Sequence, residues 1–420
     1  MLHRVKFLIK RLRERLWVRP LGMALLSITL VFLAELADGT GLRDLVPKVN
    51  IESLLRLLEI LSASMLVIAT FSVASMVAAY SAAAVTATPR SFVLVVADDA
   101  SQKALSRFIG AFIFSVIALI AMQNNYYERA GIFVLFLVTL GFFLLVIVTF
   151  VLWVDRIARL GRISNTLDKV ERATFEALDW RRRARHVITP GIGVGGTPPT
   201  DVKACKVGYL QRVDLDALQD FAAQQDLRID VAVSPGAYIG PGELLARLAA
   251  GAKSGQSLKT ERVRDAFAIG VNRSFDNDPR FGVIVLSEIA SRALSPAVND
   301  PGTAIDVIGR LVRLFATTIE PLRDGESTGA ACDRVSMPEV VMADLFDDAF
   351  NAIARDGASI VEVLLRLQKA LATLAGLGDA AMREAALRHA RWALARAEGG
   401  LTLPEDLVRV RASTPFAAPD

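Results

Sequence analysis

The chain is poor in the side chains that most enzymes work with: its 420 residues hold three histidines and two cysteines. Cys205 and Cys332 are too few and too far apart in sequence for a disulfide framework or a cysteine zinc site, so they read as ordinary buried or partly buried thiols. His3, His186 and His389 are scattered, and no H-E-x-x-H motif gathers them. No serine stands in a nucleophile elbow. Gly191, Gly193, Gly195 and Gly196 make no nucleotide loop, because no strand feeds them and no G-K-[ST] follows. These absences leave no cofactor and no metal to expect and rank catalysis last among the readings. An excess of one charge is lacking too: 48 Lys and Arg against 44 Asp and Glu leave +4 at pH 7. Much of that basic excess flanks apolar segments, which points to anionic lipid headgroups as the partner and away from nucleic acid.

What the chain has is apolar length. Hydrophobic residues are 53% of it and the mean hydropathy is +0.41, as expected when a membrane bundle is joined to a soluble part. Since a helix needs about 20 apolar residues to cross the hydrocarbon core, the pattern predicts four spans, at about 21–36, 57–87, 108–122 and 131–153. Trp17 and Trp153 at one set of ends, with Tyr126 and Tyr127 at the other, suit the two interfaces. Arg4, Lys6, Lys10, Arg11, Arg13, Arg15 and Arg19 precede the first span, and Arg156, Arg159, Arg162, Lys169 and Arg172 follow the last. Basic flanks resist translocation, so both termini are expected in the cytosol of a bacterial inner-membrane protein. Glu35, Asp38 and the lack of a small-x-small cleavage site favour a retained first anchor over a signal peptide.

The second span is long and built from Ala, Ser and Thr up to Pro89. Ser72, Ser75, Ala79, Ala82 and Thr86 fall on one face at helical spacing. Small residues let helices pack closely and hydroxyls bond across them in lipid. The alternative is that this face lines a pore in a homo-oligomer. After the fourth span, Ile157, Leu160, Ile163, Leu167 and Val170 keep a helical period. They predict a basic stem over 155–188, in which Arg156, Arg159 and Arg162 meet lipid headgroups.

Several blocks are recognisable. They are T-P-R-S-F with D-D-A-S-Q-K-A-L-S-R-F-I-G-A-F around the third span, and W-V-D-R-I-A-R-L-G-R after the fourth. Further on come R-S-F-D-N-D-P-R-F-G and E-I-A-S-R-A-L-S-P-A-V-N-D-P-G-T-A. On these the chain resembles, over nearly its whole length, the bacterial predicted membrane proteins grouped as domain of unknown function 2254. The resemblance implies four spans and a cytosolic tail, and supplies no reaction or catalytic residue.

The fold expected is therefore a membrane α-helical protein with four transmembrane helices and a cytosolic α+β region, mainly helical. Residues 1–20 form a basic N-terminus, 21–154 the membrane domain, 155–188 the stem, and 189–201 a Gly/Pro linker. A small β module spans 202–250, with Asp214 as the N-cap of a helix through about Gln224. Its P-G-A-Y-I-G turn before a last strand resembles part of a biotinyl or lipoyl-type barrel, without a lysine at a hairpin tip to carry a cofactor. A helical domain then fills 258–412, with a tail at 413–420.

The densest polar stretch is Arg273, Asp276, Asp278, Glu288, Arg292, Ser295, Asn299, Asp300 and Thr303. Asn277-Asp278-Pro279 and Asn299-Asp300-Pro301 repeat one tripeptide that starts helices, since the carboxylate caps free N–H groups and proline suits the first turn. Glu288 and Arg292 are spaced for an i, i+4 ion pair. A structural network, a ligand or ion site, and a catalytic site all remain open for this set. Asp344, Asp347 and Asp348 read as the wet face of an amphipathic helix. Three functional readings follow: a homo-oligomeric, channel-like ion conduit with a cytosolic regulatory domain, a membrane-anchored scaffold or sensor without a pore, and a hydrolase using the cytosolic carboxylates.

Overall fold

The computed structural model describes residues 18–39, 46–86, 88–96, 99–159, 162–185, 199–250, 260–319 and 333–415. The basic arm before residue 18, His3, His186, Cys332, nearly all of the 189–201 linker and the last five residues lie outside these, and Cys205 is exposed rather than buried as expected. Two compact units emerge, Met1–Thr166 and Leu167–Asp420.

In the first unit α1 (Val18–Leu36), α2 (Ile51–Thr86), a short α3 (Phe92–Val96), α4 (Asp99–Gln123) and α5 (Arg129–Arg159) follow one another. Four of these helices are long and apolar enough to cross a membrane, over Val18–Gly39, Ile51–Ala82, Ser101–Gln123 and Arg129–Ile157. Helix α4 is central and packs on α1, α2 and α5. Its apolar window is 44% buried against 22–28% in the others. The core joins Leu54, Leu58, Leu61 and Met65 of α2 to Phe108, Ala111, Phe114 and Ala118 of α4, and Phe142, Val146 and Trp153 of α5. Phe114 and Phe142 stack with ring centroids 4.4 Å apart. The opposite faces carry exposed Leu66, Val67, Phe71, Val77, Leu144, Val151 and Leu152, which suits lipid and would be a liability in water.

At 36 residues α2 is about 54 Å long, well beyond a bilayer core of about 30 Å. It stops before Pro89 as the sequence predicts, because proline disfavours helix in the residue before it. The close approach of α1 to α4 is made at Gly110, where a Cβ would lie 3.1 Å from that of Met23. There the Ser27 hydroxyl donates to the Gly110 carbonyl at 2.9 Å. At the turn from α4 to α5, Asp38 accepts from the Glu128 and Gly131 amides at 2.9 and 2.7 Å, capping α5. Tyr127 donates to the Val31 carbonyl at 2.8 Å.

The second unit takes in most of α6 (Ile163–Arg185). Next come β1 (Thr200–Lys203), β2 (Gly208–Val213), α7 (Leu215–Gln225), β3 (Leu227–Val231), β4 (Tyr238–Ile239), β5 (Leu244–Ala250), α8 (Thr260–Arg264) and β6 (Phe267–Gly270). After α9 (Pro279–Ala293) and α10 (Pro301–Thr317) a two-residue β7 (Val335–Ser336) returns to the sheet. Helices α11 (Met342–Asp356), α12 (Val361–Leu377), α13 (Ala380–Gly400) and α14 (Pro404–Ser413) complete the unit. Asp214 caps α7 as expected, accepting from the Ala217 amide at 3.2 Å.

The strands form a four-stranded sheet ordered β1-β5-β3-β7 and a three-stranded one ordered β4-β2-β6. The pairings are antiparallel except β3 with β7. Strands β6 and β7 come from the stretch read as purely helical: each is short, and its partners lie far away in sequence, so no local period announces it. Leu210, Leu218, Phe221, Ile229, Leu245, Leu248, Val263 and Val335 fill the module's core, with Trp180 of α6 packed against it. In the helical part, the rings of Phe315, Phe346 and Phe350 cluster at centroid distances of 4.8 to 5.9 Å. Gly282 lets α6 and α9 touch, since a Cβ there would fall 2.0 Å from the Thr174 hydroxyl oxygen.

Candidate functional site

The two N-D-P tripeptides do start helices. Asp278 accepts from the Phe281 amide at 3.1 Å with Pro279 in the first turn of α9. Asp300 accepts from the Thr303 amide at 3.1 Å and the Thr303 hydroxyl at 2.6 Å, with Pro301 in the first turn of α10. They lie at opposite ends of α9, whose 15 residues span about 22 Å, so the polar stretch is two local constellations.

The first is a buried clamp. Asp278 is 1% exposed, and Arg273 donates to it from Nε at 2.8 Å and from Nη2 at 3.0 Å. Arg273 also lies over the Phe281 ring, 5.1 Å from its centroid. From the β module, Gly236 presses on the pair at φ +93°, and a Cβ there would sit 2.3 Å from Asp278 Oδ2 and 2.8 Å from Arg273 Nη2. Only glycine combines that backbone angle with that approach. Burial pushes the Asp278 carboxyl above the usual range, and Arg273 opposes the shift. Asp276 stays exposed in a local turn with Ser274.

Beside the clamp, Arg280 reaches α11, donating to Asp344 and Asp348 at 2.6 Å each. The hydrogen bond to Asp348 holds the guanidinium pKa above its ordinary value. Asp347 meets His389 Nε2 at 2.9 Å and Arg388 at 3.4 Å. All three aspartates of the expected wet face therefore hold cationic or imidazole partners. Their i, i+3 and i+4 spacing was the available signal; the partners, 41 to 68 residues away, were not legible. His389 is 1% exposed and burial lowers its pKa. Its Nδ1 is buried without a hydrogen-bond partner among the described residues.

The second constellation is a turn. Ser295 donates to the Arg292 carbonyl at 2.7 Å, Asn299 takes a left-handed φ of 49°, and the Asp300 amide donates to the Ala293 carbonyl at 2.8 Å. Sequence reasoning also missed Arg310 of α10, which gathers Asp168 at 2.7 Å and Glu171 at 2.6 Å from α6 and Asp306 at 3.0 Å. Arg181 of α6 is desolvated, and burial pushes its pKa down to about 10.

In the membrane unit Ser72 is fully buried within the chain, its hydroxyl donating to the Ile68 carbonyl at 2.7 Å. Ser75 and Ala79 are half-buried, Ala82 is exposed, and the Thr86 side chain lies outside the description. Arg156 and Arg162 are exposed, and the Arg159 side chain is likewise outside. Among the described residues no three His, Cys, Asp or Glu side chains gather as a metal site.

The family described as a predicted membrane protein, DUF2254, matches residues 13–373. An uncharacterised protein of Mycobacterium tuberculosis strain CDC 1551 is 33% identical over 157 residues, covering 36% of this chain and 30% of its own length. One of Mycobacterium bovis is 32% identical over the same length and the same shares. The chain thus spans under a third of the length of the curated relatives it matches. No solved structure matches it.

Proposed function

Because the chain belongs to this family of predicted membrane proteins, whose description assigns no reaction, we propose that it is a membrane-anchored scaffold or sensor whose Leu167–Asp420 unit lies in the cytosol of a bacterial inner-membrane protein. The observation that carries the reading is the Arg273–Asp278–Gly236 clamp. Both carboxylate oxygens are occupied, and the pair ties the β module to the first helix of the helical part. The polar residues that could have made a reaction centre serve here as a joint. The β module acts as a structural unit of the biotinyl-barrel kind, since its Ser234–Gly242 turn holds no lysine and presses Gly236 on the joint. Arg156, Arg159 and Arg162 meet anionic headgroups, consistent with the exposure of Arg156 and Arg162.

A homo-oligomeric conduit is the second reading, favoured by the half-buried Ser75 and Ala79 and the exposed Ala82 on an over-long α2. One experiment separates the two. With Cys205 and Cys332 replaced by Ser, Cys is placed at positions 72, 75, 79 and 82 in proteoliposomes, and aqueous thiol labelling and ion flux are measured. The scaffold reading expects no flux and no labelling at 72, 75 and 79. Labelling along the whole face together with voltage-dependent flux would install the conduit instead. Orientation is checked by reporter fusions, expected cytosolic after Arg185 and Asp420 and external near Asp44.

A further inference from the structure

Several guanidinium groups in the helical part of the second unit meet a carboxylate closely. Arg280, Arg310, Arg313, Arg409 and Arg411 all do so at 2.6 to 2.9 Å. Two arginines of helix α13 are placed differently. Arg388 stands 3.4 Å from Asp347, a carboxylate that His389 already holds at 2.9 Å. Arg396 has no ion pair or hydrogen bond among the described residues, although its Nη1 is buried. Arg388 Nε and, on the facing helix α11, Asn351 Oδ1 are also buried without hydrogen-bond partners.

Residues 388, 392 and 396 are spaced i, i+4, i+8, one row about 12 Å long on α13. Trp392 stands at its centre, 42% exposed, with the Arg388 guanidinium 5.2 Å from its ring centroid and the His389 ring at 5.1 Å. The charges of Arg388 and Arg396 both oppose protonation of the His389 ring. A partly desolvated guanidinium without a counter-charge is costly. Asp347, shared between Arg388 and His389, leaves the row with cationic charge in excess.

We propose that the Arg388–Trp392–Arg396 row binds an oxyanion of the phosphate class. Arg388 and Arg396 supply charge-assisted donors, and Trp392 covers the bound group with an apolar wall. The same chemistry is offered by free phosphate compounds and by a phospholipid headgroup. The inference stands on α13 alone and does not depend on the scaffold reading.

The test uses the full chain in nanodiscs and follows the difference in tryptophan fluorescence between the protein and its Trp392→Phe variant. In one arm, discs of neutral phosphatidylcholine are titrated with sodium pyrophosphate against sodium chloride at matched ionic strength. In the other, anionic phosphatidylglycerol replaces part of the neutral lipid. A saturable, pyrophosphate-dependent change in the first arm supports a free oxyanion, and a change only in the second supports a headgroup. In either case Arg396→Gln should weaken binding by about tenfold and Arg396→Lys by less, as loss and retention of a charged donor require. Circular dichroism and thermal unfolding confirm that the variants are folded. No change in either arm, or binding that Arg388→Gln and Arg396→Gln leave intact, overturns the proposal.

Discussion

Asp278 and Asp300 sit in the same tripeptide and perform the same local act, yet their surroundings make them different residues. Each caps a helix that begins with proline. Asp300 does this in a turn it shares with Thr303. Asp278 is sealed from water, carries Arg273 on its other edge, and has the backbone of a distant turn against it. A local motif thus specifies the helix start, while tertiary contacts decide whether the capping carboxylate also becomes a joint between modules.

The largest expected effect is at Asp278. Replacing it by Ala removes a cap and strands Arg273, which is largely buried, so unfolding of the full chain in detergent should show a loss of about 3 kcal/mol. Gly236→Ala attacks the same joint from the other side. It adds backbone strain and a clash with the carboxylate, and should cost about 2 kcal/mol. Asp300→Ala should lose only about 1 kcal/mol, and Asp300→Asn should restore most of it, because asparagine caps nearly as well. Asp278→Asn should restore less, since the amide does not match Arg273. If the two Ala variants lose equal stability, the contrast between the sites is gone.

A smaller effect is expected at His389. Its folded pKa lies below the ordinary 6.5 because burial disfavours the imidazolium. The folded state therefore binds fewer protons than the unfolded one in the window just below pH 6.5. Its contribution is fully present above 6.5 and is lost as pH falls through that window. The groups facing the ring are Asp347, which favours the charged form, and Arg388 and Arg396, which oppose it. Unfolding of His389→Gln between pH 7.5 and 5 should show a flatter loss of stability than the parent chain, while Asp347→Asn should steepen it.

Much of this was legible in one sequence for definite reasons. The four long helices follow from apolar length, and the ends of α7, α9 and α10 from Asp214, Asp278-Pro279 and Asp300-Pro301, whose capping chemistry acts within three residues. Arg273 and Asp278 were singled out together, five residues apart, and do pair. The partners of Arg280 and the α6 partners of Arg310 were not legible, because they lie 64 to 68 and 139 to 142 residues away on separate helices. Nor was the pairing of β7, two residues long, with β3 about 106 residues before it.

A double-mutant cycle between Arg273 and Asp278 tests the central claim most directly. Arg273→Gln, Asp278→Asn and the pair are compared with the parent in equilibrium unfolding of the full chain, with Arg273→Gln and Asp300→Asn as the control cycle. The account predicts a coupling energy of about 2 kcal/mol for the first cycle and additivity within about 0.5 kcal/mol for the second. Additivity in both cycles would contradict it, leaving Asp278 as no more than the cap that Asp300 is.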